Sequence, residues 1–176
     1  MDIQILDKTF VPYISAEEIQ LRLKELALQM TEDFKDEECV FVGVLNGSFM
    51  FLSDLIKYYQ RPCEISFVKM ASYEGLQTTN EVRQLLGLDV DVTGKTVVIV
   101  EDIVDTGNTI EVLCELFNRY KIKDLKIITL FHKPEAYTKT ITLDYIGFNI
   151  PDKFIVGYGL DYNKQGRNIP EVYQIK

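Results

Sequence analysis

The sequence predicts an α/β fold with a mostly parallel central sheet flanked by helices. Short apolar stretches rich in β-branched residues alternate along the chain with stretches whose apolar residues recur every three or four positions, as in strands that alternate with helices. The stretches CVFVGVL (39–45) and TVVIV (96–100) are continuously apolar, which is typical of strands buried on both faces of a parallel sheet. With 176 residues, of which 47% are apolar, the chain is predicted to form one domain over residues 1–176.

The order of elements follows from these patterns. The first helix is predicted over residues 15–34, because Ser15 and Glu18 form the Ser-x-x-Glu pattern of a capping box and apolar residues then follow at helical spacing. Residues 74–94 are mostly polar and weakly patterned, and no element is predicted there. Two further helices are predicted, at 49–59 and 109–120. Strands are predicted at 39–45, 64–73, 96–100, 125–132, 141–148 and 154–162.

The chain is acidic, with 27 Asp and Glu against 19 Lys and Arg and a formal net charge of −8. Sequence-independent binding to nucleic acid or to an anionic membrane needs a basic surface, so both partners are disfavoured. No apolar stretch approaches the roughly 20 residues that span a bilayer, and the N-terminus lacks the basic start and apolar core of a signal peptide. Cys39, Cys63 and Cys114 lie far apart, which indicates buried, reduced thiols in a cytoplasmic protein.

Three polar segments follow predicted strands: residues 46–48, 101–109 and 132–134. Ligands of parallel sheets bind beyond the carboxyl ends of the strands. We therefore expect these segments to meet at one edge of the sheet and to form a binding site there.

Residues 98–109, VIVEDIVDTGNT, place three acids beside a turn that leads from a strand to a helix. The first amides of a helix have no acceptor within the helix and carry partial positive charge, so the Thr-Gly-Asn-Thr turn suits a phosphate group. Acids repel phosphate, and Glu101 and Asp102 instead suit the hydroxyls of a sugar or a Mg²⁺ ion. The pattern predicts a phosphorylated ribose as ligand. The alternative is that Asp105 caps the helix and the other two acids are solvated.

The stretch VVIVEDIVDTGNTI (97–110) resembles the phosphoribosyl pyrophosphate (PRPP) binding motif of the type I phosphoribosyltransferases. VGVLNGSFMFLSDL (42–55) resembles the pyrophosphate loop of the 6-oxopurine branch, the hypoxanthine-guanine enzymes. IPDKFIVGYGLDYNKQGRN (150–168) is similar to their purine-binding segment. The resemblance implies a purine-salvage enzyme that joins hypoxanthine or guanine to PRPP with Mg²⁺ as cofactor. It also implies the type I fold, with a small hood formed by the N- and C-terminal segments.

For PRPP, the resemblance implies two groups of contacts. Glu101 and Asp102 contact the ribose hydroxyls, directly or through Mg²⁺. The 5′-phosphate is held by amides and hydroxyls of Asp105, Thr106, Gly107, Asn108 and Thr109. Asp105 also faces N7 of the purine and is the expected general base, for which a pure capping role is the alternative.

For pyrophosphate, the resemblance implies backbone amides of Leu45, Asn46, Gly47 and Ser48, with a cis peptide between the first two. Arg167 is expected to reach the pyrophosphate, which suits a planar guanidinium. Asp161 is expected to hold a second Mg²⁺ through water and to lie beside the purine. Many relatives carry a basic residue at the position of Asn46, and many also carry one at the position of Asn108. We therefore expect backbone amides, rather than side-chain charge, to bind the ligand at both positions.

For the purine, the resemblance implies that Lys133 donates to O6, which would disfavour adenine because its 6-amino group is itself a donor. Phe154 is expected to stack on the ring, and the Ile155 carbonyl to read the N1/N2 edge. The alternatives are an exposed loop lysine and two ordinary core residues. His132, the only histidine, is interpreted as structural. A lid over residues 71–81 would contain Ser72 and Tyr73.

Two other functions compete with this prediction. One is a regulator with the same fold that binds nucleotides or RNA and does little chemistry, which the net charge of −8 disfavours. The other is an enzyme that uses xanthine. An NAD-binding module is disfavoured because no G-x-G-x-x-G pattern is present. By analogy with relatives, a homodimer or homotetramer is expected.

Overall fold

The computed structural model describes residues 1–72 and 82–176, with the side chains of residues 71, 72 and 82–86 left aside. The helices are α1 (Ala16–Asp33), α2 (Phe49–Tyr58) and α3 (Asn108–Phe117). The strands are β1 (Ile3–Ile5), β2 (Lys8–Ile14), β3 (Cys39–Leu45), β4 (Glu64–Ser72), β5 (Val82–Leu86), β6 (Thr96–Val104), β7 (Asp124–His132), β8 (Tyr145–Asn149), β9 (Ile155–Val156) and β10 (Val172–Ile175).

The central sheet has six strands in the order β5-β4-β3-β6-β7-β8. The pairs from β4 to β8 are all parallel, and β5 joins the edge antiparallel to β4. The predicted α/β fold with a mostly parallel sheet is therefore confirmed. β3 and β6 occupy the middle of the sheet, and their apolar side chains are buried on both faces, as their continuously apolar sequences predict.

Helices cover both faces of this sheet. On one face, α1 and α2 pack on a core that includes Phe41, Val98 and Val100. On the other face, α3 packs on a core that includes Val97 and Ile99. Successive β6 residues thus alternate between the two cores, as the period of a strand requires.

The predicted capping box opens α1. The Glu18 amide donates to Ser15 Oγ at 3.2 Å, and the Ser15 amide donates to Glu18 Oε2 at 2.9 Å. α3, by contrast, ends at Phe117 rather than at the predicted Tyr120. The amides of Arg119 and Tyr120 bond three residues back, at 3.2 and 3.0 Å, so the chain tightens into a turn there. Among the described residues, no helix is long and apolar enough to cross a bilayer.

A second sheet of four antiparallel strands, in the order β1-β2-β10-β9, joins the two ends of the chain. It is the small hood of the implied fold. β1, β2 and β10 are not among the strands predicted from the sequence, and neither is β5. These strands lie at sheet edges or pair across most of the chain length, so local patterning marks them weakly.

Three predicted strands have different bounds in the structure. β6 continues past Val100 to Val104, because it pairs with β7 as far as His132, and Glu101 and Asp102 thus lie within the strand rather than after it. The strand predicted at 141–148 begins only at Tyr145. The strand predicted at 154–162 is limited to β9, because residues 157–159 all have positive φ and turn the chain.

Candidate active site

The segments that follow β3, β6 and β7 meet at one edge of the central sheet, together with the segment around β9. They enclose a cleft of about 340 Å³. Eleven of the residues singled out from the sequence line it: Leu45, Asn46, Gly47, Glu101, Asp102, Asp105, Lys133, Phe154, Ile155, Asp161 and Arg167.

A smaller hollow of about 90 Å³ lies at the N-terminal end of α3 and is lined by residues 103–110 and Glu101. Glu101 and Asp105 also line the larger cleft, so the two cavities are neighbours. The helix begins after Gly107, whose φ of 87° favours glycine, and none of the described side chains caps it. The amides of its first turn therefore have no side-chain acceptor, and the hollow offers donors to an anion.

Glu101 and Asp102 are adjacent acids, and Asp102 is half-buried. Glu101 is buried, and its Oε2 has no hydrogen-bond partner among the described residues. Burial and, to a lesser degree, the Asp102 carboxylate raise the pKa of Glu101 well above its usual value. Burial also raises the pKa of Asp102 to about 6, against backbone hydrogen bonds that lower it. Both carboxylates are thus arranged to gain from a positive or hydrogen-donating ligand.

The loop after β3 approaches its neighbours through glycine. The peptide bond between Leu45 and Asn46 is cis, as the resemblance implies. A Cβ atom at Gly47 would overlap the carboxylate of Asp102. A Cβ atom at Gly159 would lie 2.1 Å from the Gly47 carbonyl oxygen. Both glycines are therefore required for the loop to sit between β6 and the turn after β9.

Lys133 lies between two carboxylates. Its Nζ is 3.1 Å from Asp105 Oδ2 and 3.0 Å from Asp152 Oδ1. The residue is only 7% exposed, so it is not the solvated loop lysine of the alternative interpretation. Burial pushes the pKa of Lys133 down, but the hydrogen bonds to Asp152 and Asp105 outweigh burial and leave that pKa raised. The cleft thus contains a buried, charged ammonium.

Asp161 and Arg167 form an ion pair at the same edge, with Nη2 2.5 Å from Oδ1. Arg167 Nη1 also donates to the Gly159 carbonyl at 2.6 Å, and the Lys164 amide donates to Asp161 Oδ2 at 2.6 Å. These bonds hold the guanidinium against the turn that contacts Gly47.

Phe154 and Ile155 form an apolar wall of the cleft. Ile155 is buried, whereas Phe154 is 45% exposed and is therefore not an ordinary core residue. The Phe154 ring packs edge-on against Tyr162, with centroids 5.8 Å apart, and lies 6.3 Å from the ring of Phe10. The hood thus supports the ring and leaves part of it accessible.

Some residues singled out from the sequence lie elsewhere. Ser48 is fully buried, and its hydroxyl donates to the Val44 carbonyl at 2.7 Å. His132 does not line the cleft; its Nδ1 is 2.9 Å from Asn149 Oδ1. Of the predicted lid, Ser72 ends β4, and Tyr73 with the rest of the segment to residue 81 lies outside the described residues.

Comparison with known proteins identifies the family. The model of the phosphoribosyl transferase domain matches residues 14–163. The chain belongs to the phosphoribosyltransferase family. It is 44% identical over 161 residues to the hypoxanthine phosphoribosyltransferase of Salmonella typhimurium, covering 90% of each chain. It is 41% identical over 164 residues to the hypoxanthine-guanine phosphoribosyltransferase of Bacillus subtilis, covering 93% of this chain and 91% of that one.

Solved structures of phosphoribosyltransferases share the fold. A hypoxanthine phosphoribosyltransferase from Staphylococcus aureus aligns with a TM-score of 0.89 at 40% identity, covering 94% of this chain and 91% of that chain. A hypoxanthine-guanine phosphoribosyltransferase from Bacillus anthracis, with a HEPES molecule in its active site, aligns with a TM-score of 0.88 at 44% identity, covering 94% and 96%. The predicted type I phosphoribosyltransferase fold is thereby confirmed.

The acids of this phosphoribosyltransferase fit a magnesium ion that is shared with substrate. Among the side chains that the structure describes, no group of three or more His, Cys, Asp or Glu could hold a metal ion alone. Mg²⁺ in phosphate-handling sites is usually held by one or two carboxylates together with substrate oxygens and water. Glu101 and Asp102 meet that requirement, since both line the cleft and Glu101 Oε2 lacks a partner. Asp161 is already engaged by Arg167, which leaves it an outer position.

Sequence reasoning missed several residues of the site. Asp152 is one of 27 acids, and no pattern distinguishes it until the fold brings it to Lys133. Leu160 and Ile103 line the cleft as apolar wall, and single apolar residues carry no signal of their own. Gly159 could have been suspected from the Gly-Tyr-Gly spacing, because repeated glycines mark turns.

Proposed function

We propose that this phosphoribosyltransferase transfers the 5-phosphoribosyl group of PRPP to N9 of hypoxanthine or guanine, giving IMP or GMP and pyrophosphate in purine salvage. The observation that carries the proposal is the arrangement of the cleft and the neighbouring hollow, in which a buried ammonium, a buried and a half-buried acid and an uncapped helix N-terminus adjoin. The ammonium matches the purine, the two acids match the ribose, and the helix N-terminus matches the 5′-phosphate. The names of the relatives, which are hypoxanthine and hypoxanthine-guanine phosphoribosyltransferases, support the choice of purine.

The 5′-phosphate is assigned to the hollow at the start of α3. Residues 105–109 supply the amides and the two threonine hydroxyls, and Gly107 lets the backbone curl around the phosphate. No basic side chain among those that the structure describes lines the hollow, so the helix N-terminus provides the positive field.

The ribose is assigned to the space beside Glu101 and Asp102, which lies between the hollow and the rest of the cleft. Carboxylates accept hydrogen bonds from the 2′- and 3′-hydroxyls, which would satisfy the unpaired Glu101 oxygen. Mg²⁺, when bound, would neutralise negative charge on the pyrophosphate leaving group. Glu101 and Asp102 are proposed to hold it with the substrate oxygens, and Asp161 a second ion through water.

The pyrophosphate is assigned to residues 45–48 and to Arg167. Asn46 and Gly47 line the cleft, and their backbone amides are proposed to bind the pyrophosphate, whereas the Ser48 hydroxyl is committed to Val44. Arg167 would contribute a planar, always charged donor from the opposite side.

The purine is assigned to the space between Lys133 and the wall formed by Phe154 and Ile155. The Lys133 ammonium would donate to O6 of hypoxanthine or guanine. Adenine carries an amino group at this position, which cannot accept that hydrogen bond. The exposed face of Phe154 would stack on the ring, and the Ile155 carbonyl would accept from the N1/N2 edge. Asp161 lines the same cleft.

Asp105 is proposed as the general base. As the C1′–O bond breaks, pyrophosphate leaves with the electron pair and positive charge develops on the ribose. N9 then donates an electron pair to C1′, and the proton on N7 passes to the Asp105 carboxylate. A single positioned base contributes roughly 10²–10⁴-fold in rate. Closure of a lid at 71–81, with Ser72 and Tyr73, would exclude water that competes for the ribosyl cation.

We also propose a cytoplasmic location, one domain over residues 1–176, and assembly as a homodimer or homotetramer. All three cysteines are free thiols, which supports a reducing compartment. The hood joins both ends of the chain in one sheet, which supports one domain. Exposed apolar side chains, such as Leu21, Phe49 and Ile65, are available for contact between subunits.

A four-substrate assay tests this function. Purified protein is incubated with PRPP and Mg²⁺, and hypoxanthine, guanine, xanthine or adenine is offered in turn. We expect turnover of hypoxanthine and guanine, with little turnover of adenine. Turnover of xanthine alone would show that the enzyme uses xanthine instead. No turnover of any purine would favour a nucleotide-binding regulator.

A further inference from the structure

Lys133 has one carboxylate partner that the proposed function does not use. The proposal assigns Asp105 and Lys133 to the purine, but the shorter of the two Lys133 contacts, at 3.0 Å, is made to Asp152. The Asp152 side chain is 57% exposed, whereas that of Lys133 is 9% exposed. A buried lysine is thus tied to a carboxylate that is more than half exposed.

The donors of the ammonium can be counted. A lysine ammonium has three N–H donors and no acceptor. The described residues supply acceptors for two of them, Asp105 Oδ2 and Asp152 Oδ1. One donor therefore remains for a ligand in the cleft that Lys133 lines together with Phe154 and Ile155.

Asp152 belongs to the same segment as the apolar wall. It lies between β8 and β9, in a tight turn closed by the Lys153 amide donating to the Pro151 carbonyl at 2.8 Å. Phe154 follows two residues later. The contact to Lys133 thus ties the end of β7 to the segment proposed to stack on the purine, and it fixes the ammonium relative to that wall.

We propose that Asp152 is a positioning residue that aims the Lys133 ammonium at the 6-oxo group of the purine. Asp152 holds one N–H so that Lys133 is not drawn wholly to Asp105, which must face the purine as well. Without Asp152, Asp105 is the only carboxylate among the described side chains that remains beside the ammonium, and the ammonium turns toward it and away from O6. This inference rests on the proposed function.

Steady-state kinetics of Asp152→Ala and Asp152→Asn test the inference. We expect Asp152→Ala to raise the KM for hypoxanthine about 10-fold, the size of one charge-assisted hydrogen bond, with the KM for PRPP changed less than about 2-fold. Asp152→Asn keeps an acceptor oxygen and should show a smaller rise. The matched control is Asp124→Ala, since Asp124 pairs with Lys126 at 3.0 Å and is 52% exposed, at the opposite end of β7.

Product binding distinguishes a lost orientation of the Lys133 ammonium from a general weakening of the site. Calorimetry compares IMP with purine riboside 5′-monophosphate, which lacks the 6-oxo group together with the hydrogen on N1. We expect wild type to prefer IMP and Asp152→Ala to lose the part of that preference that comes from O6, while the part that comes from N1–H remains. Equal weakening of both nucleotides, or the same kinetic change in the Asp124→Ala control, would overturn the inference. If wild type does not turn over hypoxanthine, both the proposed function and this inference are wrong. If wild type is active and Asp152→Ala keeps the same preference for IMP, only the role of Asp152 is wrong.

Discussion

At the scale of single residues, Glu101 shows how the site departs from what stability alone would select. Its carboxyl is buried, and one oxygen lacks a hydrogen-bond partner among the described residues. A buried polar atom without a partner costs about 1–3 kcal/mol. Glu101 therefore destabilises the ligand-free protein, and its presence is explained by the ligand it is proposed to contact.

Glu101→Met tests that trade-off. The substitution removes the buried carboxyl group with its unpaired oxygen at similar volume, so we expect the melting temperature to rise by about 2–4 °C. Transferase activity should be lost, because methionine cannot accept from a ribose hydroxyl. The control is Glu115→Met at an exposed site on α3, which should change neither quantity. A destabilised Glu101→Met variant would contradict this account of the burial cost.

Asp105→Asn tests the general base. Asparagine keeps the shape but cannot take the N7 proton, so we expect kcat to fall by roughly 10²-fold or more. The KM for PRPP should change little, because the amides of the α3 hollow remain. Asp144→Asn, a substitution of an acid that pairs with Lys126 at 3.5 Å, is the control. An unchanged kcat would remove Asp105 from this role.

At the scale of elements, the turn after β9 links the hood to the helices. Tyr158, only 2% exposed, has a φ of 47°. Its hydroxyl donates to Asp54 Oδ2 on α2 at 2.6 Å, and Gln20 on α1 donates to the same oxygen at 2.8 Å. The next residue, Gly159, packs on the Gly47 carbonyl. Two helices thus support the turn that presses against the proposed pyrophosphate loop.

Gly159→Ala tests this contact. The new Cβ would meet the Gly47 oxygen at 2.1 Å, and the φ of 97° is unfavourable for alanine, so one of the two segments must move. We expect a loss of about 2–4 kcal/mol in unfolding free energy and a rise of about 10-fold in the KM for PRPP. The control is Gly94→Ala, where φ is 72° but the space is open. It should lose about 1–2 kcal/mol from the backbone alone and keep its kinetics.

The same network makes stability depend on pH. Burial pushes the pKa of Asp54 up, but hydrogen bonds from Lys57, Tyr158 and Gln20 outweigh burial and leave that pKa below 3.8. A carboxylate with a lowered folded-state pKa stabilises the protein above about pH 4 and loses that contribution as pH falls further. We therefore expect urea unfolding to show wild type more stable than Asp54→Asn at pH 6, with the difference shrinking below about pH 4. Glu115→Gln, at an exposed site on α3, is the control for the loss of one negative charge.

At the scale of the whole molecule, the hood and the central sheet share apolar packing. Ile14, Ile155 and Val172 from the hood belong to the same buried core as Leu23 and Phe41. The hood also has a small core of its own around Phe10. Because the larger core spans both sheets, the hood cannot detach without exposing apolar surface of the main body.

Shared packing predicts a single cooperative unfolding transition. The chain has no tryptophan, so Tyr173→Trp in β10 places a fluorescent reporter in the hood, and Tyr120→Trp after α3 places one in the main body. We expect urea midpoints from both reporters and from far-UV circular dichroism to coincide, as two-state unfolding requires. An earlier midpoint from the hood reporter would show a separate unit and contradict the proposal of one domain.

Sequence reasoning succeeded where side-chain periodicity is local. The buried strand at 39–45 has the predicted bounds, and the capping box at Ser15 opens α1 as predicted. It failed where pairing between segments far apart in the chain decides whether a strand forms and where it ends. β6 runs on to Val104 only because β7 lies beside it. β10 forms because it pairs with β2 on one side and with β9 on the other. β2 lies some 160 residues before β10 in the chain.

By itself, the sequence determined the α/β class, the segments that meet at the cleft and the motif at 97–110, because these depend on residue order and spacing. Only the tertiary structure decided that Asp152 reaches Lys133, that Glu101 is buried without a partner and that Gly159 presses on Gly47. These contacts join segments far apart in the chain, and their geometry depends on how sheets, helices and hood pack together rather than on any local pattern.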